Sequence, residues 1–216
     1  MKKLIYLSLI GLAMSCSKKH ETIDTSLVQA DTLGINLIPA KKELFTSTQR
    51  YEILCWTIKS FEGYSATSYR CSANKRTVAW GFCRVKSVKN IHHADEIFKR
   101  IVAGLFKDVS KAYPNLNYLS KCAIISLLYN SGDLDKIKHS GFSRQLNKRN
   151  IDDAIVRFKQ WSKVRIDDKL ITIKGLKNRR TFESKLLDGS FDMEDYLKLK
   201  SDVASIYLKN KQLENN

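Results

Sequence analysis

The sequence predicts an α+β protein, mostly helical and in two lobes, with a small β-hairpin sheet confined to the N-terminal lobe. Three observations lead there. A helical pattern ends at Glu62-Gly63. Residues 64–84 then lose that period and gather Tyr, Thr, Ser, Val and Trp. From His92 helical spacing returns and continues nearly to the end of the chain. A cleft between two such lobes is where an extended polymer would lie.

Residues 1–15 read as an export signal rather than as part of the fold. Lys2 and Lys3 make a short basic start, and Leu4 to Ala13 is an apolar run too short to span a bilayer as a helix. Ala13-Met14-Ser15-Cys16 places small residues before a cysteine, which resembles the cleavage box of bacterial lipoproteins. Cys16 would then become the first residue, carry lipid and anchor the protein to a membrane, as a periplasmic or outer-membrane lipoprotein. The alternative is plain cleavage after Ser15. Either route takes the protein out of the cytoplasm. Residues 16–45 are polar and aperiodic and read as a tether to a folded domain over 46–190.

Within the domain, Tyr51, Leu54, Cys55, Ile58 and Phe61 predict a helix over about 47–62, with Gly63 as its stop. Residues 64–84, around the polar turn Ser72-Ala73-Asn74-Lys75, predict a hairpin or three-stranded sheet. Ile97, Ile101, Leu105 and Val109 share one face of the next helix, up to Pro114. Leu119, Ala123, Leu127 and Leu128 mark another, ending near Gly132. A short helix covers about 142–148. Ile151, Ile155, Phe158 and Trp161 give a further one, with Asp152 and Asp153 in its first turn, where the helix dipole favours acids. The helix over 176–187 stops at Gly189. The tail, 191–216, is amphipathic, with Tyr196, Leu199, Val203 and Ile206 on one side, and its spacing does not choose between the domain, a membrane and a partner.

Composition narrows the function. Of 216 residues, 43% are hydrophobic and 28% charged, which fits one folded domain plus extra segments, and 9 Gly and 2 Pro exclude collagen-like and Pro-rich chains. The net charge of +16, or +14 without Lys2 and Lys3, points to anionic partners. For an exported protein these are peptidoglycan and lipid headgroups, and no motif supports nucleic acid. Cys16, Cys55, Cys71, Cys83 and Cys122 include no CxxC, and His20, His92, His93 and His139 lack zinc-ligand spacing, so neither a metal nor a cofactor is expected. A monomer is expected.

Glu62 stands out on physical grounds. It follows Phe61 at the edge of a buried stripe and at a helix C-terminus. Burial and the helix dipole both disfavour a negative charge there, so such a carboxyl tends to hold its proton, as a general acid must. A solvent-exposed Glu at a fraying helix end is the plainer reading of the same spacing.

The wider pattern resembles the phage-type lysozymes, glycoside hydrolase family 24. Their signature is a Glu, eight residues, an Asp or Cys, five residues and a Thr, and Glu62, Cys71 and Thr77 meet it at both spacings. Gly63 and Tyr69 also match. Tyr129-Asn130-Ser131-Gly132 is similar to the family's aromatic-Asn-x-Gly helix end, and Gly175-Leu176-Lys177-Asn178-Arg179-Arg180 with Glu183 to its last helix. The resemblance implies a lysozyme-like fold and a muramidase hydrolysing the β-1,4 bond between N-acetylmuramic acid and N-acetylglucosamine. It makes Glu62 the acid, has Thr77 hold the attacking water, and sets Cys71 beside that water. A family arginine faces the Glu; Arg180 is assigned this role over Arg179, and Asn130 is assigned to the substrate side.

This sequence departs from the family at several positions. Thr77-Val78-Ala79-Trp80-Gly81-Phe82 stands where Thr-Ile-Gly-Tyr-Gly-His is usual, so Ala79 implies an altered turn. Cys71 replaces the commoner Asp; it is read as a free thiol, with a bridge to Cys83 as the alternative. A different class of function, a lysozyme-fold protein that binds peptidoglycan without cutting it, would fit best had Glu62 or Thr77 been lost.

Overall fold

A computed structural model describes residues 44–70 and 75–214. Helix α1 (Ser47–Glu62) begins with a capping box. The Thr46 hydroxyl accepts from the Gln49 N–H, and the Gln49 side chain accepts from the Thr46 N–H. It ends where Gly63, at φ 66°, turns the chain while its N–H still bonds Lys59 O. Glu62 is thus the last helical residue, as the sequence predicts.

The predicted small sheet is an antiparallel pair, β1 (Ser65–Arg70) and β2 (Arg76–Ala79). Its register slips between Ser65 and Tyr69, a bulge that bends β1. β1 is mostly exposed, whereas Thr77, Val78 and Ala79 of β2 are buried.

Helices α2 (Ile91–Ala112), α3 (Tyr118–Ser131), α4 (Leu134–Lys138), α5 (Gly141–Asn147), α6 (Ile151–Lys159) and α7 (Lys174–Asp188) follow. Asn and Ser side chains cap most of them, and α3 and α7 end on Gly132 and Gly189 in the left-handed conformation, which glycine adopts without strain. α3 is buried almost all round and packs on α1, α2 and α7. It is the axis of the larger lobe.

The α2 face is rotated from the expected one. Ile91, Ala94, Phe98, Val102, Leu105 and Val109 are buried, and Ile97 and Ile101 only flank the core. Phe98 wins because its ring packs at a tilt against Tyr129 of α3, with centroids 5.9 Å apart. In α1, Tyr51 points outward, 40% exposed, and Ile53 takes the core position instead.

Two elements escaped the sequence reading. One is the short α4, the other a hairpin of β3 (Lys163–Ile166) and β4 (Lys169–Thr172). Its two-residue turn, Asp167-Asp168, has both φ positive, at 46° and 60°, as a tight hairpin requires. Nearly every hairpin side chain is exposed, so no core pattern marked it.

The amphipathic tail forms α8 (Met193–Glu214) and packs on α1 of the domain. Tyr196, Leu199 and Val203 are buried, and Tyr196 stacks 5.6 Å from Trp56 and donates to Glu52. No helix among the described residues is long and apolar enough to cross a membrane. Cys16 and the tether lie outside the described residues.

Candidate active site

Glu62 ends α1 with its side chain largely buried, and each carboxylate oxygen has a definite neighbour. Oε1 accepts from Arg179 Nη1 at 2.6 Å. Oε2 lies against Gly81: a Cβ at residue 81 would come within 2.8 Å of it. Gly81 also sits at φ 87°, so its missing side chain serves both the backbone and the carboxylate.

The expected partner of Glu62 was Arg180, and the structure corrects this to Arg179. Arg180 points into the core, pairs with Glu183 through Nε at 2.7 Å and Nη2 at 2.8 Å, and lies over the Phe158 ring. Both arginines fall on the buried stripe of α7 with Leu176 and Glu183, so helical phase alone does not separate them. Only where α1 ends relative to α7 does.

Arg179 is the hub. Besides Glu62, its Nε donates to Glu183 Oε1 at 3.0 Å, and its Nη2 donates to the Ser126 carbonyl and hydroxyl at 3.1 and 3.0 Å. Ser126 Oγ in turn donates to Glu183 Oε1. Two carboxylates and two guanidiniums alternate here, which makes burial of four charges tolerable. Burial opposes the Arg179 charge, but Glu62 and Glu183 outweigh it and hold the guanidinium above its usual value. For Arg180 burial wins and lowers it.

The loop carrying Gly81 is short and fixed. Val78 and Phe82 exchange two backbone hydrogen bonds at 2.8 and 3.1 Å, enclosing only Ala79-Trp80-Gly81. Tyr129 of α3 donates its hydroxyl to Trp80 O at 2.6 Å. Burial, aided by the Glu62 charge, pushes that hydroxyl well above its usual range, so it stays a donor. Ala79 is at φ 54°, a region that costs an alanine about 1 kcal/mol or more. Ala79 thus holds a backbone conformation that glycine adopts more readily.

Thr77, on β2, is buried at the foot of this loop. Its hydroxyl donates to Lys75 O at 3.2 Å and lies 3.8 Å from Cys83 Sγ. Cys83 carries a free thiol. Cys71 itself lies outside the described residues. Asn130 is half-buried at the end of α3, next to Tyr129. Gly81, Ser126 and Tyr129 were missed as site residues, because their contacts with Glu62, Arg179 and Trp80 cross from one element to another. Among the described residues no group of three or more His, Cys, Asp or Glu side chains could hold a metal ion.

Comparison with known proteins identifies the family and the fold. Residues 59–183 match the Phage lysozyme family. The endolysin of Acyrthosiphon pisum secondary endosymbiont phage 1 is 28% identical over 142 residues, covering 62% of this chain and 93% of that protein. Among solved structures, the endolysin from Escherichia coli O157:H7 phage FAHEc1 superposes with a TM-score of 0.53 at 23% identity, over 71% of this chain and 98% of its own. The muramidase domain of SpmX from Asticaccaulis excentricus gives 0.55 at 18% identity, over 62% and 93%. These likenesses establish the lysozyme-like fold, and the match covers more than half of the sequence. The chain belongs to the phage lysozyme family and is a glycoside hydrolase of the lysozyme class.

Proposed function

We propose that this protein is an exported muramidase of glycoside hydrolase family 24, cutting the β-1,4 bond between N-acetylmuramic acid and N-acetylglucosamine in peptidoglycan. The observation that supports it is the state of Glu62. Its carboxyl, at the end of a helix, is clamped on one oxygen by a buried guanidinium, and its other oxygen rests on a glycine. A surface Glu at a fraying helix end has neither feature.

In this reading Glu62 takes up a proton from solvent at Oε2 and passes it to the departing sugar oxygen, while Arg179 fixes the carboxyl through Oε1. Water adds its oxygen to the anomeric carbon from the opposite face as the glycosidic bond breaks, gives up its extra proton to bulk solvent, and the configuration inverts. The Thr77 hydroxyl, which spends its proton on Lys75 O, keeps lone pairs free to accept from that water. The resemblance to the family assigns Cys71 a place beside the water. A neutral thiol is a weak base, so positioning of the water carries more of the rate than proton removal does. The net charge of +16 suits an anionic polymer, and Cys16 carries the lipid that ties the enzyme to a membrane of the envelope.

Digestion of purified peptidoglycan, with the new reducing ends identified, tests the reading. Muramic acid ends should appear with wild type, and Glu62→Gln should lower their release at least about a hundredfold. Binding without cleavage, anhydro ends, or an equally active Glu62→Gln each defeats it.

A further inference from the structure

Beneath the Glu62 loop lies a polar cluster that spans four elements. Asp95 of α2 accepts from Lys59 Nζ of α1 at 2.7 Å and from the Trp80 indole Nε1 at 2.8 Å, both on Oδ1. Its Oδ2 accepts from the Tyr207 hydroxyl of α8 at 2.6 Å. That hydroxyl also accepts from Lys59 Nζ at 2.7 Å, so Lys59, Asp95 and Tyr207 close a ring of hydrogen bonds. The Lys59 ammonium further lies 4.8 Å from the centre of the Trp80 ring and 5.3 Å from that of Tyr207. The Trp80 and Tyr207 rings are 5.7 Å apart.

This cluster grips the side chain of the residue whose next neighbour, Gly81, supports Glu62 Oε2. Trp80 is fully buried, and Tyr129 holds its carbonyl from the other side. The Trp80–Gly81 peptide is therefore fixed at both ends of one residue. Only α8 supplies the third donor to Asp95, and α8 begins ten residues after the family-matched segment ends at 183.

We propose that α8 is a working part of the active site, with Tyr207 as a positioning residue that, through Lys59 and Asp95, locks Trp80 and so the Gly81 surface under Glu62. The proposal rests on the muramidase reading. Without the hydroxyl, Asp95 Oδ2 loses its donor and Lys59 one acceptor. The indole is then held less tightly, and the floor under Glu62 gains freedom. A carboxyl displaced by a fraction of an ångström still binds substrate but transfers its proton less often.

The test uses the full chain and a soluble peptidoglycan oligomer, with kcat and KM measured separately and Tm followed by near-ultraviolet circular dichroism. Tyr207→Phe should lower kcat about tenfold with KM unchanged, since small misplacements act on the reacting geometry and not on binding. Tyr196→Phe is the control. It removes another hydroxyl bond between α8 and the domain, to Glu52 on α1, and should lower Tm by a similar amount while leaving kcat intact. Equal kcat in wild type and Tyr207→Phe, or equal losses in both variants, reduces α8 to structural support and overturns the proposal. A wild type that releases no reducing ends sinks the muramidase reading itself, and the positioning role with it.

Discussion

Arg179→Lys is the sharpest probe of the site, because it keeps the charge and removes the fork. Arg179 makes four hydrogen bonds, one each to Glu62 and Glu183 and two to Ser126. A lysine ammonium in that space reaches one of the two carboxylates. Losing one bond to a charged group, at about 1.5–3 kcal/mol, and two to Ser126, at about 1 kcal/mol each, destabilises the protein by roughly 3–5 kcal/mol. Tm should fall by about 10 °C, taking ~2–4 °C per kcal/mol for a domain of this size. At a temperature where the variant is fully folded, kcat on a soluble glycan should still drop between about ten- and a hundredfold, because the Glu62 carboxyl is no longer held. Arg180→Lys is the companion: its partner is Glu183, so stability falls and kcat stays within about twofold. Full turnover in Arg179→Lys together with a crippled Arg180→Lys would refute the assignment of the clamp to Arg179.

Other substitutions probe the same geometry. Gly81→Ala puts a Cβ within 2.8 Å of Glu62 Oε2 at φ 87°, so it should displace the carboxyl and lower kcat about tenfold or more; wild-type turnover would show that Oε2 is not seated there. Cys71→Asp should remain active, as a carboxylate beside the water is the commoner family arrangement, whereas Cys71→Ala should be slower; equal rates in all three would leave residue 71 without a part in catalysis. Burial pushes the Cys55 thiol up from 9.0 to about 11. The unfolded chain therefore ionises first, and the stability contributed below pH 9 is lost as pH rises toward 11, on the order of 2–3 kcal/mol in all. Denaturation at stepped alkaline pH should show that loss in wild type and a flatter curve in Cys55→Ala; identical slopes would place the alkaline sensitivity elsewhere.

Much of this molecule is legible in its sequence, and for local reasons. The end of α1 at Glu62 follows from the glycine behind it, because only residue 63 need adopt the positive φ that stops the helix. The sheet between Ser65 and Ala79 follows from a change of period, and the ends of α3 and α7 from Gly132 and Gly189. The spacing of Glu62 and Thr77 is legible because one ends α1 and the other lies on β2, close along the chain. The β3–β4 hairpin left no mark, since it buries almost nothing and its Asp-Asp turn lacks the usual glycine.

What the chain alone left open concerns contacts between distant segments. Arg179 and Arg180 are adjacent on one helix and share its buried stripe. The choice between them depends on a rotation of α7 of some 100° and on where α1 ends, neither of which a periodic pattern encodes. The same holds for α8, whose apolar side could equally have faced a membrane. It packs on α1 because Tyr196 finds Trp56, and because Lys59 and Asp95 supply partners for the Tyr207 hydroxyl. Local sequence sets helix ends and turns through propensities of single residues. Which buried charge meets which is set by side chains more than a hundred positions apart, as with Glu62 and Arg179, and only the packed tertiary structure brings those together.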